Sequence, residues 1–230
     1  MKLKKGDTLP DAKVFIFDES PKETSIKQIV GEEKVIIFGL PGAFTPTCST
    51  KHLPGFIGAT DQLKAKDIKK VICISVNDPF VMDAWGKIHK VENKILMVGD
   101  SNAVFTKNIG AELDLNKKGL GIRSSRYTIL VEKGSIVKIS EEEIAGKCES
   151  TAAENFIKEI SFLESLNHKN IIKVVNYSFN DFYFYIMPKY DYTLSDIIRK
   201  IEDEKYDLDI PVKFYNFRNY LTIIKSISDA

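Results

Sequence analysis

The chain has 230 residues, of which 43% are hydrophobic and 28% are charged. This composition supports a packed core, and the length allows one large domain or an ordinary domain with a smaller partner. The 33 Lys and Arg residues nearly balance the 32 Asp and Glu residues, which argues against a dedicated nucleic-acid binder and against a protein of anionic membrane surfaces. The three cysteines exclude a disulfide scaffold, and their odd number favours a reducing compartment.

The start of the chain bears on its location. The first residues are polar and carry no apolar segment, so no secretory signal is predicted. No apolar run approaches the roughly 18 residues that a membrane span needs. We therefore expect a cytoplasmic protein without a membrane segment, unless an organelle address lies upstream of this chain.

Up to about residue 139, strand-like and helix-like segments alternate. Apolar runs at residues 13–17, 34–40, 71–76 and 95–98 predict strands, and residues 127–132 and 135–139 predict a hairpin. Helices are predicted at residues 48–66, 79–90 and 102–108, the second with Asp78 as its N-cap and Pro79 at its first position. This alternation predicts an α/β fold with a central sheet, as a domain spanning residues 1–150.

The second half has a different character, and we expect it to form an α+β extension over residues 151–230. Apolar residues at helical spacing predict a helix at residues 156–166. Aromatic-rich segments then predict strands, and further helices follow, at residues 170–177, 181–187, 194–201 and 219–227.

The segment after the strand at residues 34–40 places a cysteine where α/β folds place their sites. If a helix begins near Thr47, its free N–H groups and the positive end of its dipole stabilise a thiolate at Cys48. The Thr45 hydroxyl can donate to that thiolate or hold a polar oxygen, and Pro41 stiffens the loop. The alternative interpretation is that Cys48 is a small buried hydrophobic residue.

The sequence around Cys48 resembles the peroxiredoxin family. Pro41, Thr45 and Cys48 match its Pro-x-x-x-Thr-x-x-Cys signature, and the continuation Cys-Ser-x-x-His-Leu-Pro-Gly-Phe is similar to the peroxiredoxin 5 (type II) subfamily. The strings Ile-Ser-Val-Asn-Asp, Phe-Val-Met-Asp-Ala-Trp-Gly and Arg-Ser-Ser-Arg-Tyr match as well. The resemblance covers about residues 3–139. It implies a thioredoxin-like fold and a thiol-dependent peroxidase that reduces hydrogen peroxide and alkyl hydroperoxides.

The resemblance also implies a role for each motif residue. Cys48 is expected to be the peroxidatic cysteine, which attacks the peroxide O–O bond and becomes a sulfenic acid. Pro41 and Thr45 are expected to line the pocket. Arg126 matches the active-site arginine of the family, and Arg123 is a neighbouring candidate that matches less well. A guanidinium keeps the thiolate charged and offers planar donors to the peroxide oxygens. The chemistry that the resemblance implies uses no metal, haem or flavin.

The remaining cysteines leave two reduction cycles open. Cys148 lies in a polar stretch where some peroxiredoxin 5 relatives carry a resolving cysteine, so it is a candidate for a disulfide with Cys48. In the alternative one-cysteine cycle, thioredoxin, or glutathione with glutaredoxin, reduces Cys48 directly. Cys73 is predicted to be a buried, inert thiol, and His52 to cap or pack locally. The resemblance further implies a homodimer formed through the face that carries the active-site loop.

The stretch at residues 156–174 resembles part of the small lobe of protein kinases. Glu159 matches the glutamate of that lobe's helix, and residues 182–190 look like the strand and hinge that follow. Because a Gly-rich loop, a catalytic-loop aspartate and an Asp-Phe-Gly motif are missing, we expect this fragment to be catalytically incompetent. It suggests a second class of function, a kinase-derived interaction module in which the first half serves as a scaffold or redox sensor.

Overall fold

A computed structural model describes residues 1–142, 144, 146–165, 176–177 and 185–186, with side chains as far as residue 161. The chain divides into two units, Met1–Asn167 and His168–Ala230. In the second unit, Asn176–Tyr177 and Tyr185–Ile186 form an antiparallel pair. The helices predicted at residues 194–201 and 219–227, and most of the kinase-like match, lie outside the described residues, whereas the helix predicted at residues 156–166 is described as Ala153–Ser165. Within the described part of the chain, no helix is long and apolar enough to cross a bilayer.

A seven-stranded mixed sheet forms the centre of the first unit, in the order β2-β1-β5-β4-β3-β8-β9. Strands β3, β4 and β5 are parallel, and the remaining neighbours are antiparallel. A separate antiparallel pair is formed by β6 and β7. The strands are β1 (Lys13–Asp18), β2 (Ser20–Ser25), β3 (Lys34–Gly39), β4 (Lys70–Ser75), β5 (Leu96–Gly99), β6 (Glu112–Asp114), β7 (Ile122–Ser124), β8 (Tyr127–Glu132) and β9 (Ser135–Glu141).

Six α-helices are described around these strands: α1 (Ile26–Val30), α2 (Leu53–Gly58), α3 (Thr60–Ala65), α4 (Pro79–Ile88), α5 (Val104–Asn108) and α6 (Ala153–Ser165). A π-helical turn, Cys48–His52, leads into α2, and a 3₁₀ turn spans Asn116–Lys118. The start of α4 is fixed as predicted, because Asp78 Oδ1 accepts a hydrogen bond of 2.9 Å from the N–H of Val81.

The hydrophobic core has two layers, one on each face of the sheet. Successive side chains of a strand point to opposite faces, so the alternating residues of β3 divide between the layers. Ile36 and Phe38 pack in the layer that contains Cys48, whereas Val35 and Ile37 pack in the other. Because β3 is buried on both faces, its sequence is continuously apolar.

Helix α6 completes the layer that contains Cys48. Phe156 and Ile160 are buried in that layer, and Glu159 forms an ion pair with Lys138 of β9. The ammonium of Lys138 also lies 5.6 Å from the ring centroid of Phe156. Glu159, the residue that matched the kinase glutamate, is thus engaged within the first unit. The division into residues 1–150 and 151–230 stays a prediction for the chain as a whole.

The α/β sheet predicted from the sequence is confirmed, with three differences in detail. The polar edge strand β2 was not predicted, because it shows no apolar alternation. The helix α1 was not predicted either, because its apolar spacing extends over only five residues. The small β6–β7 pair was missed for the same reason. The helix predicted at residues 48–66 is divided into the π turn, α2 and α3. Pro54 lacks an N–H, which interrupts the hydrogen-bond ladder near the end of the π turn.

Candidate active site

Cys48 lies at the junction of a loop and a helix, beyond the carboxyl end of β3. The chain becomes helical at residues 46–47, and the π turn starts at Cys48 itself. The N–H of Leu53 donates to the carbonyl of Cys48, which is the wide hydrogen-bond pattern of a π-helix. Cys48 therefore occupies the first helical turn, near the positive end of the helix dipole, as the sequence predicted.

A guanidinium faces the sulfur inside the core. Arg126 Nη2 donates to Cys48 Sγ at 3.3 Å, and the two residues are 4% and 0% exposed. Among the described residues, no carboxylate pairs with Arg126. A buried cation without an anionic partner is costly, so the hydrogen bond that the sulfur accepts helps to hold the guanidinium in the core. Burial of Cys48 is therefore compatible with a reactive sulfur, because the neighbouring guanidinium of Arg126 is charged.

His52 holds the other side of the same guanidinium. Arg126 Nη1 lies 3.0 Å from His52 Nδ1, and His52 Nε2 lies 3.2 Å from the carbonyl oxygen of Thr151. A carbonyl only accepts and a guanidinium only donates, so the proton of the neutral ring sits on Nε2. Burial, followed by the nearby charge of Arg126, lowers the pKa of His52 to about 3. His52 is therefore neutral at physiological pH.

The loop before Cys48 carries the other two predicted pocket residues, Pro41 and Thr45, both half-buried. Thr45 Oγ1 donates to the carbonyl of Gly42 at 2.8 Å, so its proton is engaged and its lone pairs stay available to accept. Arg123 lies against the same loop but points elsewhere. Its Nη1 donates to the Val76 carbonyl at 3.0 Å, and its Nε to that of Leu120 at 2.7 Å. Arg126, not Arg123, is the arginine that reaches the sulfur.

The three cysteines are free thiols with different surroundings. Cys73, on β4, is fully buried, and its burial raises the pKa of the thiol well above its ordinary value. Cys148 is half-buried, and burial also raises its pKa, although the charge of Arg126 opposes the shift. Thr47 Oγ1 donates to the carbonyl of Gly146 at 3.0 Å, which ties the segment before Cys148 to the active-site turn.

Sequence reasoning assigned no site role to Glu142 or Thr151 and only local packing to His52. His52 follows Cys48 at helical spacing, so one face of a helix carrying both was the available signal. Glu142 and Thr151 offered none, because only folding brings them to the site. Thr151 is buried, and its N–H and Oγ1 both donate to the Glu142 carboxylate, at 2.9 and 2.8 Å.

Because His52 stays neutral in the folded chain, we predict that the stability of the protein depends on pH. The unfolded chain takes up a proton near the ordinary pKa of 6.5, whereas the folded chain does not until about pH 3. The free energy of unfolding therefore falls as the pH falls through this window, by about 2 kcal/mol between pH 7 and pH 5 from this residue. Urea titrations at the two pH values measure the difference, which we expect to be smaller by that amount in His52→Asn. His89→Asn is the control, and an equal pH dependence in all three proteins would contradict the assignment.

Comparison with known proteins agrees with this geometry. A family model described as Redoxin matches residues 4–157. Peroxiredoxin-2D of Arabidopsis thaliana is 44% identical over 157 residues, which cover 67% of this chain and 96% of that protein.

Solved structures are similar over the same part of the chain. The reduced Prx3 of Vibrio vulnificus in complex with hydrogen peroxide has 38% identity and a TM-score of 0.65, covering 69% of this chain and 99% of that one. Peroxiredoxin 5 of Alvinella pompejana has 34% identity and a TM-score of 0.63, covering 70% and 99%. The first unit thus has the thioredoxin-like fold that was expected, and the chain belongs to the redoxin family as a peroxiredoxin, a thiol-dependent peroxidase.

Proposed function

We propose that Cys48 is the peroxidatic cysteine of a type II, peroxiredoxin 5-like enzyme that reduces hydrogen peroxide and alkyl hydroperoxides. The observation that carries this proposal is the 3.3 Å contact between Arg126 Nη2 and Cys48 Sγ in a buried setting. The guanidinium stabilises the thiolate, which is the nucleophilic form of cysteine. Neither Cys73 nor Cys148 has a hydrogen bond from an arginine among the described contacts.

In the proposed reaction, the Cys48 thiolate attacks one peroxide oxygen. An S–O bond forms while the O–O bond breaks, and the departing oxygen takes a proton and leaves as water or an alcohol. The sulfur, oxidised by two electrons, becomes a sulfenic acid. Arg126 Nε is buried and has no hydrogen-bond partner among the described residues. It lies on the same edge of the planar guanidinium as Nη2, so it is available to donate to a peroxide oxygen as charge develops there.

Thr45 and Pro41 are proposed to shape the pocket for that peroxide. Because the Thr45 hydroxyl donates its proton to Gly42, its oxygen can accept a hydrogen bond from the protonated peroxide oxygen. Pro41 carries no N–H and adds a rigid, apolar wall to the loop. Together with Arg126 these groups would distinguish the attacked oxygen from the leaving oxygen.

Exchanging the charged and nucleophilic groups tests this mechanism. We expect Cys48→Ser to abolish peroxide consumption with dithiothreitol as the reductant. Arg126→Lys keeps a charge but loses the planar donors, so we expect kcat/KM to fall by about tenfold to a hundredfold.

Two variants serve as matched controls. Cys73→Ala removes a buried thiol and Arg123→Lys changes the neighbouring arginine, and both should keep most of the wild-type kcat/KM, because neither side chain hydrogen-bonds to Cys48 among the described contacts. A fully active Cys48→Ser protein would exclude the mechanism.

Cys148 is the resolving cysteine in this proposal. The hydrogen bond between Thr47 and Gly146 supports it, because it holds the Cys148 segment against the turn that bears Cys48. The Cys148 thiol would displace hydroxide from the sulfenic acid, forming a disulfide and water. Thioredoxin, or glutathione with glutaredoxin, would then reduce the disulfide.

Mass spectrometry after one equivalent of peroxide distinguishes the two cycles. We expect a Cys48–Cys148 disulfide in the wild type, and a sulfenic acid that dimedone traps at Cys48 in Cys148→Ser. A sulfenic acid or a glutathione adduct at Cys48 of the wild type, with Cys148 still reduced, would instead establish the one-cysteine cycle.

A homodimer is proposed through the face around the active-site loop. Phe44 and Phe80 are 53% and 58% exposed there, and Leu120 and Ile122 add partly exposed apolar surface. Hydrogen bonds join the segments that bear these residues. Asn77 Oδ1 accepts from the N–H of Ala43, and Arg123 donates to the carbonyls of Val76 and Leu120. Apolar groups on adjacent loops are typical of an interface.

Sedimentation velocity tests the dimer. We expect the wild type to sediment at twice its 26.0 kDa chain mass. Phe80→Glu should shift the protein to the monomer, because a charge would be buried in the interface. Ile88→Glu, at the far end of α4 and 67% exposed, should leave the dimer intact. A monomeric wild type, or a dimeric Phe80→Glu, would contradict this assignment.

The kinase-like match and the location of the protein stay predictions from the sequence. From residue 166 onward the kinase-like match falls almost wholly outside the described residues, so no structural observation favours the interaction module. Relatives of the chain include one named as chloroplastic and one named as mitochondrial.

A further inference from the structure

The carboxylate of Glu142 joins the two ends of the segment at residues 142–151. Glu142 Oε1 accepts hydrogen bonds from the N–H of Glu149 at 2.7 Å, from the N–H of Thr151 at 2.9 Å and from Thr151 Oγ1 at 2.8 Å. Burial raises the pKa of Glu142, but the hydrogen bonds from these donors lower it by more. The net shift is downward, so the carboxylate is ionised at neutral pH.

Thr151 transmits this anchoring to the active site. Its carbonyl accepts a hydrogen bond from Thr128 Oγ1 at 2.8 Å and one from His52 Nε2 at 3.2 Å. With its proton fixed on Nε2, His52 presents the lone pair of Nδ1 to Arg126 Nη1 at 3.0 Å. The N–H of Glu142 also donates to the carbonyl of Arg126 at 3.0 Å. Both the backbone and the guanidinium of Arg126 are therefore tied to Glu142.

We propose that Glu142 is a positioning residue for the thiol chemistry, acting through Thr151 and His52 to hold the Arg126 guanidinium against Cys48. The proposal rests on the role of Cys48 proposed above. Glu142 itself touches neither the sulfur nor the guanidinium in any described contact. A long arginine side chain holds one geometry only when its donors are fixed, and the Nη1 donor is fixed here by His52.

Few of the described charged groups face Cys48, and Arg126 is the one that donates a hydrogen bond to its sulfur. Arg126 faces it from the position just before β8, with the neutral His52 of its own helix on the guanidinium, while Cys73 lies near it on β4 and Cys148 in the segment at residues 142–151. Among these described groups, Arg126 alone is a cation at neutral pH. In general, moving a cation away from a thiol disfavours its ionised form.

The test separates position from charge by comparing two substitutions of Glu142. Glu142→Asp keeps the negative charge but shortens the side chain, so it cannot reach all three donors. Glu142→Gln keeps the length and an accepting oxygen but removes the charge. Iodoacetamide labelling of Cys48, followed by mass spectrometry as a function of pH, reads the ionisation of the sulfur without any peroxide turnover.

We expect the midpoint of Cys48 labelling to rise by about half a pH unit or more in Glu142→Asp, since loss of a neighbouring cation acts in that direction. In Glu142→Gln the upward shift should be smaller, because the accepting oxygen remains. His52→Ala, which removes the next link, should shift the midpoint upward as Glu142→Asp does. Glu149→Ala is the matched control, because only the backbone of Glu149 contacts Glu142, and it should keep the wild-type midpoint.

An unchanged midpoint in Glu142→Asp with a lowered one in Glu142→Gln would mean that Glu142 acts on Cys48 only through its charge, and would overturn the proposal. So would an unchanged midpoint in both variants. Thermal melting accompanies each measurement, and if Glu142→Asp does not fold, His52→Ala decides: an unchanged midpoint there overturns the relay. Absence of peroxide turnover in the wild type would refute the proposed function alone, since the labelling profile would still be measurable.

Discussion

A guanidinium and a sulfur, both removed from water, form the interaction on which the site depends. Arg126 has no carboxylate partner among the described residues, and its Nη2 group lies 3.3 Å from Cys48 Sγ. In a low-dielectric setting a charged donor and the group that accepts its hydrogen bond interact far more strongly than they would at the surface. The rest of the site follows from this constraint, because any displacement of the guanidinium leaves one buried charge alone.

The fold meets this constraint with elements that are distant in sequence. Strand β3 and the π turn place the sulfur, while the residue just before β8 supplies the guanidinium. His52 lies between them and is kept neutral by burial and by the charge it contacts. A neutral ring with a fixed proton can accept from Arg126 without competing with the sulfur for its positive charge.

The segment at residues 142–151 links three features of the molecule. It carries Cys148, it contacts the active-site turn through Gly146, and its Thr151 carbonyl fixes His52. The carboxylate of Glu142 holds this segment closed. A resolving reaction at Cys148 and the anchoring of Arg126 would thus involve the same few residues, which couples the shape of the segment to the state of the sulfur.

The sequence alone determined the α/β fold and singled out the candidate site residues. Continuous apolar runs specify buried strands whatever surrounds them, and the motif of Pro41, Thr45 and Cys48 is local, so both could be read directly. The resemblance favoured Arg126 over Arg123, but only tertiary structure placed its guanidinium against the sulfur, kept His52 neutral and linked Glu142 and Thr151 to His52. Those properties arise from burial and from contacts between residues far apart in the chain, and no local pattern encodes either.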